Sequence, residues 1–172
     1  MSHGNNNPPS DPPGKPVKIT LTVEASSLFA LGGTTYTQVQ VDALCTLSDD
    51  NNDGTSTDVK TYVANVYLNH NVQWVGEVRY PEGVDKGFSI AIDSIVHEAS
   101  QISDPDAPSN QNFFADGTIE GGGGRSSNVN AVVNNNQSLI NQLDVYTINF
   151  SVYDQQNNNF SFLIDPKLRA NN

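Results

Sequence analysis

Val17-Lys18-Ile19-Thr20-Leu21-Thr22-Val23-Glu24 alternates an apolar side chain with a polar one along its whole length. Successive side chains of an extended strand point to opposite faces. The run therefore sends Val17, Ile19, Leu21 and Val23 inward and Lys18, Thr20, Thr22 and Glu24 outward, and it predicts a half-buried strand.

The same period recurs through the chain. Val39, Val41, Ala43, Cys45 and Leu47 alternate with Gln38, Gln40, Asp42, Leu44 and Thr46, which predicts a second strand with Cys45 facing inward. Between the two, Ser26–Thr35 carries Leu28-Phe29-Ala30-Leu31 and then Gly32-Gly33, a bridging segment closed by a glycine turn. Val59–Tyr67 places Tyr62, Ala64, Val66 and Leu68 on one face. Val72, Trp74, Gly76 and Val78 form the next run, with Trp74 assigned to the core. Phe88, Ile90 and Ile92 follow the Pro81-Glu82-Gly83 turn in a strand running on to Val96. Phe113-Phe114 and Ile119 flank Asp116-Gly117 as in a hairpin. Val129, Ala131 and Val133, then Tyr146, Ile148, Phe150 and Val152, then Phe160, Phe162 and Ile164 complete the set, stopped by Asp165-Pro166. Only Ser138–Leu143 reads as a helical turn, and Ala170-Asn171-Asn172 reads as a frayed end.

About nine short strands at this spacing predict an all-β fold, a single antiparallel β-sandwich of jelly-roll or Ig-like type. The sandwich is assigned to 17–169. Residues 1–16, MSHGNNNPPSDPPGKP, hold five prolines and no apolar residue after Met1. They are assigned as a disordered Pro/Asn-rich arm, since they have no surface whose burial offsets their chain entropy.

The chain has 172 residues and a net charge of −11, which suits one domain and excludes nucleic-acid binding by phosphate neutralisation. No apolar run approaches the roughly 20 residues of a membrane helix, so membrane insertion is excluded as well. The start has neither basic residues nor an apolar core of a signal peptide. It predicts a cytoplasmic protein, or a secreted one had a leader been removed. The lone Cys45 cannot form an internal disulfide.

One acidic segment carries metal-ligand spacing. In Asp49-Asp50-Asn51-Asn52-Asp53-Gly54-Thr55-Ser56-Thr57-Asp58, the residues Asp49, Asn51 and Asp53 stand two apart and Gly54 follows. This matches the first half of a calcium loop, where alternate oxygens converge and glycine allows the sharp turn. The twelfth position holds Lys60 instead of Glu, so the candidate Ca²⁺ set is Asp49, Asn51, Asp53, Thr55 and Asp58. The competing reading is an ordinary solvated turn. A second cluster, Asp104, Asp106 and Asn110, is weaker. Gly121–Gly124 with Arg125 could cradle an anion but lacks the order of a phosphate loop. His3, His70 and His97 belong to no zinc motif. No nucleophile elbow is present, and the expectation is no catalytic residue and no enzyme. Tyr67, Tyr80 and Tyr153 end strands and offer a sugar platform.

The closing third resembles one family. Asp144–Tyr153, a polar hairpin, and Phe160-Ser161-Phe162-Leu163-Ile164-Asp165-Pro166-Lys167-Leu168 are similar to the final strands of the AidA/PixA inclusion-body proteins, as is Val72-Gln73-Trp74-Val75-Gly76 to a middle strand. Ile164 stands where that family usually carries Trp. The resemblance implies a bacterial β-sandwich that accumulates in the cytoplasm, with no catalytic residues to carry over. Two functional expectations follow. The first is a non-enzymatic protein that self-associates into an inclusion, filament or oligomer through amide-rich outer faces. The second is a binding module for carbohydrate or another polar ligand, assisted by calcium.

Overall fold

The computed structural model describes residues 13–51, 55–56, 58–99 and 110–172. In chain order the elements are β1 Val17–Val23, α1 Ala25–Gly32, α2 Gln38–Asp42, β2 Cys45–Asp49, β3 Thr55–Ser56, β4 Val63–Tyr67, β5 Asn71–Val78, β6 Ser89–His97, β7 Thr118–Glu120, β8 Val129–Val132, β9 Leu143–Tyr153, β10 Asn159–Ile164 and β11 Lys167–Asn171. A 3-10 turn, Gln137–Leu139, precedes β9.

Two sheets face each other across one apolar core. The first runs β3-β2-β1-β5-β8 and the second β4-β11-β9-β6-β7, with β10 also paired to β9. The length of β9 explains that branching. Its first residues, Leu143–Val145, face β11, and Ile148–Tyr153 face β10 along the same edge. Most pairs are antiparallel. Two are parallel, β1 with β5 and β4 with β11, so both sheets are mixed. The parallel pairs require long crossovers, and the chain supplies them through the helices and short strands between β1 and β5.

Alternation places the core as expected. Val17, Ile19, Leu21 and Val23 are buried, as are Tyr62, Ala64, Val66, Leu68, Cys45 and Leu47. Trp74 lies at the centre, its Nε1–H donating to the Tyr146 hydroxyl at 3.1 Å. Its ring stands edge-on to Tyr146 and Phe114, at 5.9 and 5.6 Å between centroids. Trp74→Ala is expected to cost about 3–5 kcal/mol, the range for deleting a buried aromatic, as read from urea unfolding. The sheets also meet where β5 passes β6. A side chain at Gly76 would sit 2.6 Å from the Ile90 carbonyl oxygen, so only glycine allows that approach.

Four segments depart from the sequence reading. Residues 38–42 are helical instead of extended: Val39 is 71% exposed and Val41 1%. Thr37 and Gln40 form a capping box, in which Gln40 N–H donates to the Thr37 side chain and Thr37 N–H to Gln40 Oε1. That box starts a helix before the strand begins at Cys45. The bridging segment is helix α1. Its starting N–H at Ser26 donates to Asp85 Oδ1 at 2.8 Å, and Asp85 Oδ2 accepts from Tyr80 N–H at 3.0 Å. Asp85 is fully buried and caps the helix from a distant turn. Phe113-Phe114 forms a buried bend, not a hairpin strand, and the β7 that follows Asp116-Gly117 pairs with β6. The tail is no frayed end: β11 lies between β4 and β9 with Leu168 and Ala170 fully buried. Of the N-terminal arm, residues 1–12 fall outside the described residues.

Candidate functional site

The acidic segment after β2 ties strands together. Asp49 Oδ1 accepts from Asn51 N–H at 3.0 Å and Oδ2 from the Tyr62 hydroxyl at 2.5 Å. The Asn51 side-chain amide donates to Asn65 O and to the Tyr67 hydroxyl. Asp58 Oδ1 accepts from Lys60 N–H. Thr55 belongs to β3 by its backbone, and Asp53 lies outside the described residues. Among the described residues no group of three or more His, Cys, Asp or Glu side chains is gathered as a metal set. Asp104 and Asp106 also fall outside them. Asn110 is structural: its amide donates to Glu98 O at 2.6 Å, and its Oδ1 accepts from Val145 N–H at 2.8 Å. Arg125, the cation of the glycine loop, donates to Ser89 Oγ, Gly87 O, Asp154 O and Asn157 Oδ1. The guanidinium thus pins three loops.

The second sheet carries the perturbed groups, one pair on the core side of β9 and the others on its outer face. Asp144 in β9 is 1% exposed. One of its oxygens lies 2.7 Å from His97 Nδ1, and the other accepts from Phe113 N–H at 3.0 Å. Burial pushes the Asp144 carboxyl up, while the His97 and Phe113 bonds favour its ionised form. The Asp144 hydrogen bond raises His97, with further help from the charges of Asp144 and Glu98. We assign the shared proton to His97, because the Asp144 bond raises the imidazole and the Phe113 N–H favours the ionised carboxylate.

Three residues further along β9, and so on its opposite face, the buried Thr147 hydroxyl lies 2.6 Å from both Glu98 Oε1 and Asp165 Oδ1. A hydroxyl has one proton to give, so two such contacts are both hydrogen bonds only when one carboxyl is itself protonated. Asp165 is pushed up chiefly by burial and then by the neighbouring charges of Glu98 and Asp42, against Lys60 and the Thr147 bond. Next along the same strand, the Ser151 hydroxyl donates to Asp93 Oδ2 at 2.6 Å and contacts Ser161 Oγ at 3.0 Å. Asp93 is likewise raised, first by burial. Cys45 is buried and its thiol is pushed up to about 12, mainly by desolvation, so it is inert. Sequence patterning could not find the Thr147 bridge, because Glu98, Thr147 and Asp165 come from three separate segments.

A second feature lies on one flank. β8 and β7 are the edge strands of their sheets on the same side. Between them runs a groove of ≈ 260 Å³, lined by Phe114, Ile119, Ala131 and Val132. Val132 is 54% exposed. No Asp, Glu, Lys or Arg occurs from Ser126 to Leu143, which includes all of β8.

No family model and no curated protein matches the chain. Among solved structures it is similar to the inclusion body protein PixA from Burkholderia cenocepacia J2315, with 10% identity and a TM-score of 0.59. The match covers 94% of this chain and 99% of that one. At that identity the likeness is one of fold. No helix among the described residues is long and apolar enough to cross a membrane.

Proposed function

We propose that this protein is a non-enzymatic cytoplasmic β-sandwich that self-associates, as an inclusion, filament or oligomer component. The observation that carries the reading is the β8 edge. An edge strand presents unpaired main-chain groups, and proteins that stay monomeric blunt such edges with Lys, Pro or bulges. β8 has none of these: it is Val129-Asn130-Ala131-Val132, and among the described strands its one sheet partner is β5. Copies carrying a charge of −11 repel one another, and the uncharged Ser126–Leu143 face is where that repulsion is weakest. An antiparallel β8-to-β8 contact related by a two-fold axis would join two first sheets and cover Val132 from both sides. The likeness of fold to an inclusion body protein points the same way.

The test is the size of the protein in solution, by light scattering behind size exclusion across a wide concentration range. Wild type is expected to grow with concentration. Val132→Lys is expected to remain a monomer with an unchanged melting temperature. A wild type that stays monomeric throughout would remove the proposal.

A further inference from the structure

We infer that the groove between α2 and the outer face of β6, β9 and β10 is a binding site for a primary alkylammonium group. The inference does not rest on self-association. It begins with a bulge. β6 pairs with β9 as Ile92 with Phe150 and Ser94 with Asn149, which leaves Asp93 as the extra residue. Bulges re-aim a side chain, and this one brings Asp93 beside Ser151 on the outer face. α2 approaches from the other side, where Gln38 donates to Leu163 O at 2.7 Å and reaches across the free edge of β10. The resulting space is ≈ 290 Å³, lined among others by Tyr36, Gln38, Asp93, Asn149, Ser161 and Leu163. It lies near the lower end of the roughly 300–1,000 Å³ of small-molecule sites.

The chemistry of the lining selects the ligand. Asp93 Oδ1, Asn149 Oδ1 and Gln38 Oε1 accept no hydrogen bond from any described residue, whereas the Asn149 and Gln38 amide N–H groups already donate, to Ser94 and to Asp42 and Leu163. The groove therefore offers acceptors and asks for donors. The Asp93 carboxylate is half-buried and forms no ion pair with any described Lys, Arg or His. Glu120 adds further negative charge to its surroundings. A half-buried, uncompensated carboxylate favours a cation over a neutral guest. An ammonium brings three donors and one positive charge to three acceptors. The exposed ring of Tyr36, held against Phe162 at 5.5 Å between centroids, and the exposed Leu163 give the alkyl stem an apolar rest. Tyr36 also offers the head a cation–π contact.

Three probes of similar size separate the terms: n-butylammonium chloride, n-butanol, and tetramethylammonium chloride, which is a cation without donors. Binding is followed by amide chemical shifts of the full chain. Saturable shifts at Asp93, Asn149 and Ser161 are expected with n-butylammonium, with at least about tenfold weaker binding of the other two, the loss for a charge-assisted hydrogen bond. Asp93→Asn, which keeps the shape, is expected to lose about tenfold or more for n-butylammonium with its melting temperature unchanged. Should that variant not fold, Asn149→Ala carries the same comparison. Equal binding of n-butanol, an Asp93→Asn affinity equal to wild type, or no saturable shift with n-butylammonium each overturns the assignment.

Discussion

A chain ending at Pro166 is expected not to fold. The six missing residues, Lys167–Asn172, look dispensable on a surface map of the sequence, yet they hold β11. This strand pairs with β4 along Val63–Tyr67 and with β9 at Leu143–Val145, so its removal opens the second sheet between its first and third members. Leu168 and Ala170 leave the core, and β4 loses its only sheet partner among the described strands. The loop main chain suffers too, since Asn141 N–H donates to Ala170 O and Leu68 N–H to Asn171 O. Truncating one buried Leu alone costs about 2–5 kcal/mol. Losing a whole internal strand, with its ladder and the burial of Ala64 and Val66, is comparable to the entire stability of about 5–15 kcal/mol of an ordinary domain. The expected result is a circular dichroism spectrum without a strand signal, no cooperative melt, and Trp74 fluorescence of a solvated indole. Deleting Asn172 alone, which lies beyond β11, should change stability by no more than about 0.5 kcal/mol. A Pro166-terminated chain that melts within a few degrees of wild type would show that β11 is only an accessory strand.

The misreading of that tail shows what was legible. Period-two alternation is a property of a strand with one wet face, and it gave β1, β4 and β5 with the correct inward residues. β11 is Lys167-Leu168-Arg169-Ala170-Asn171, which also alternates, but Asp165-Pro166 before it and asparagines after it read as an ending. Its partners are a strand a hundred residues earlier and the start of β9, and no local pattern encodes those pairings. The helix at 38–42 was written in the sequence as Thr37-Gln38-Val39-Gln40, a capping box that the valine alternation outshouted. The cap of α1 could not be read at all, because Asp85 is far from Ser26 in the chain. The same holds for the polar groups. The acidic segment after β2 was visible because its oxygens are neighbours in sequence. The Glu98–Thr147–Asp165 bridge and the Asp93 groove exist only after β6, β9 and β10 are laid side by side.

Stability should fall as pH rises above the ordinary aspartate value. Asp93 and Asp165 have carboxyls raised above their ordinary value, each chiefly by burial. A raised carboxyl keeps its proton in the folded chain at a pH where the unfolded chain has released it. The folded state then binds more protons, so its advantage is complete below the unfolded value and is lost as pH climbs through the folded one. His97, raised by Asp144, contributes with the same sign in a higher window, from its ordinary value upward. Asp154 is shifted the other way, first by the Asn158 side-chain bond, but it lies in a solvated turn and adds little. At the Thr147 bridge the physical event is specific. Once the acid proton leaves, two carboxylates face one hydroxyl, and only one of the two 2.6 Å contacts can remain a hydrogen bond. Solvent screening of the half-exposed carboxyls keeps the decline modest. Melting followed by Trp74 fluorescence should show that decline. Asp165→Asn replaces the titrating proton by an amide that donates to Thr147 at every pH. It should raise the melting temperature more at pH 8 than at acid pH. Glu82→Gln, which removes one negative charge from an exposed turn, controls for net charge and should not reproduce the gain. A wild-type melting temperature that rises over this window, or an Asp165→Asn curve parallel to wild type, would mean that no proton is held between Glu98, Thr147 and Asp165.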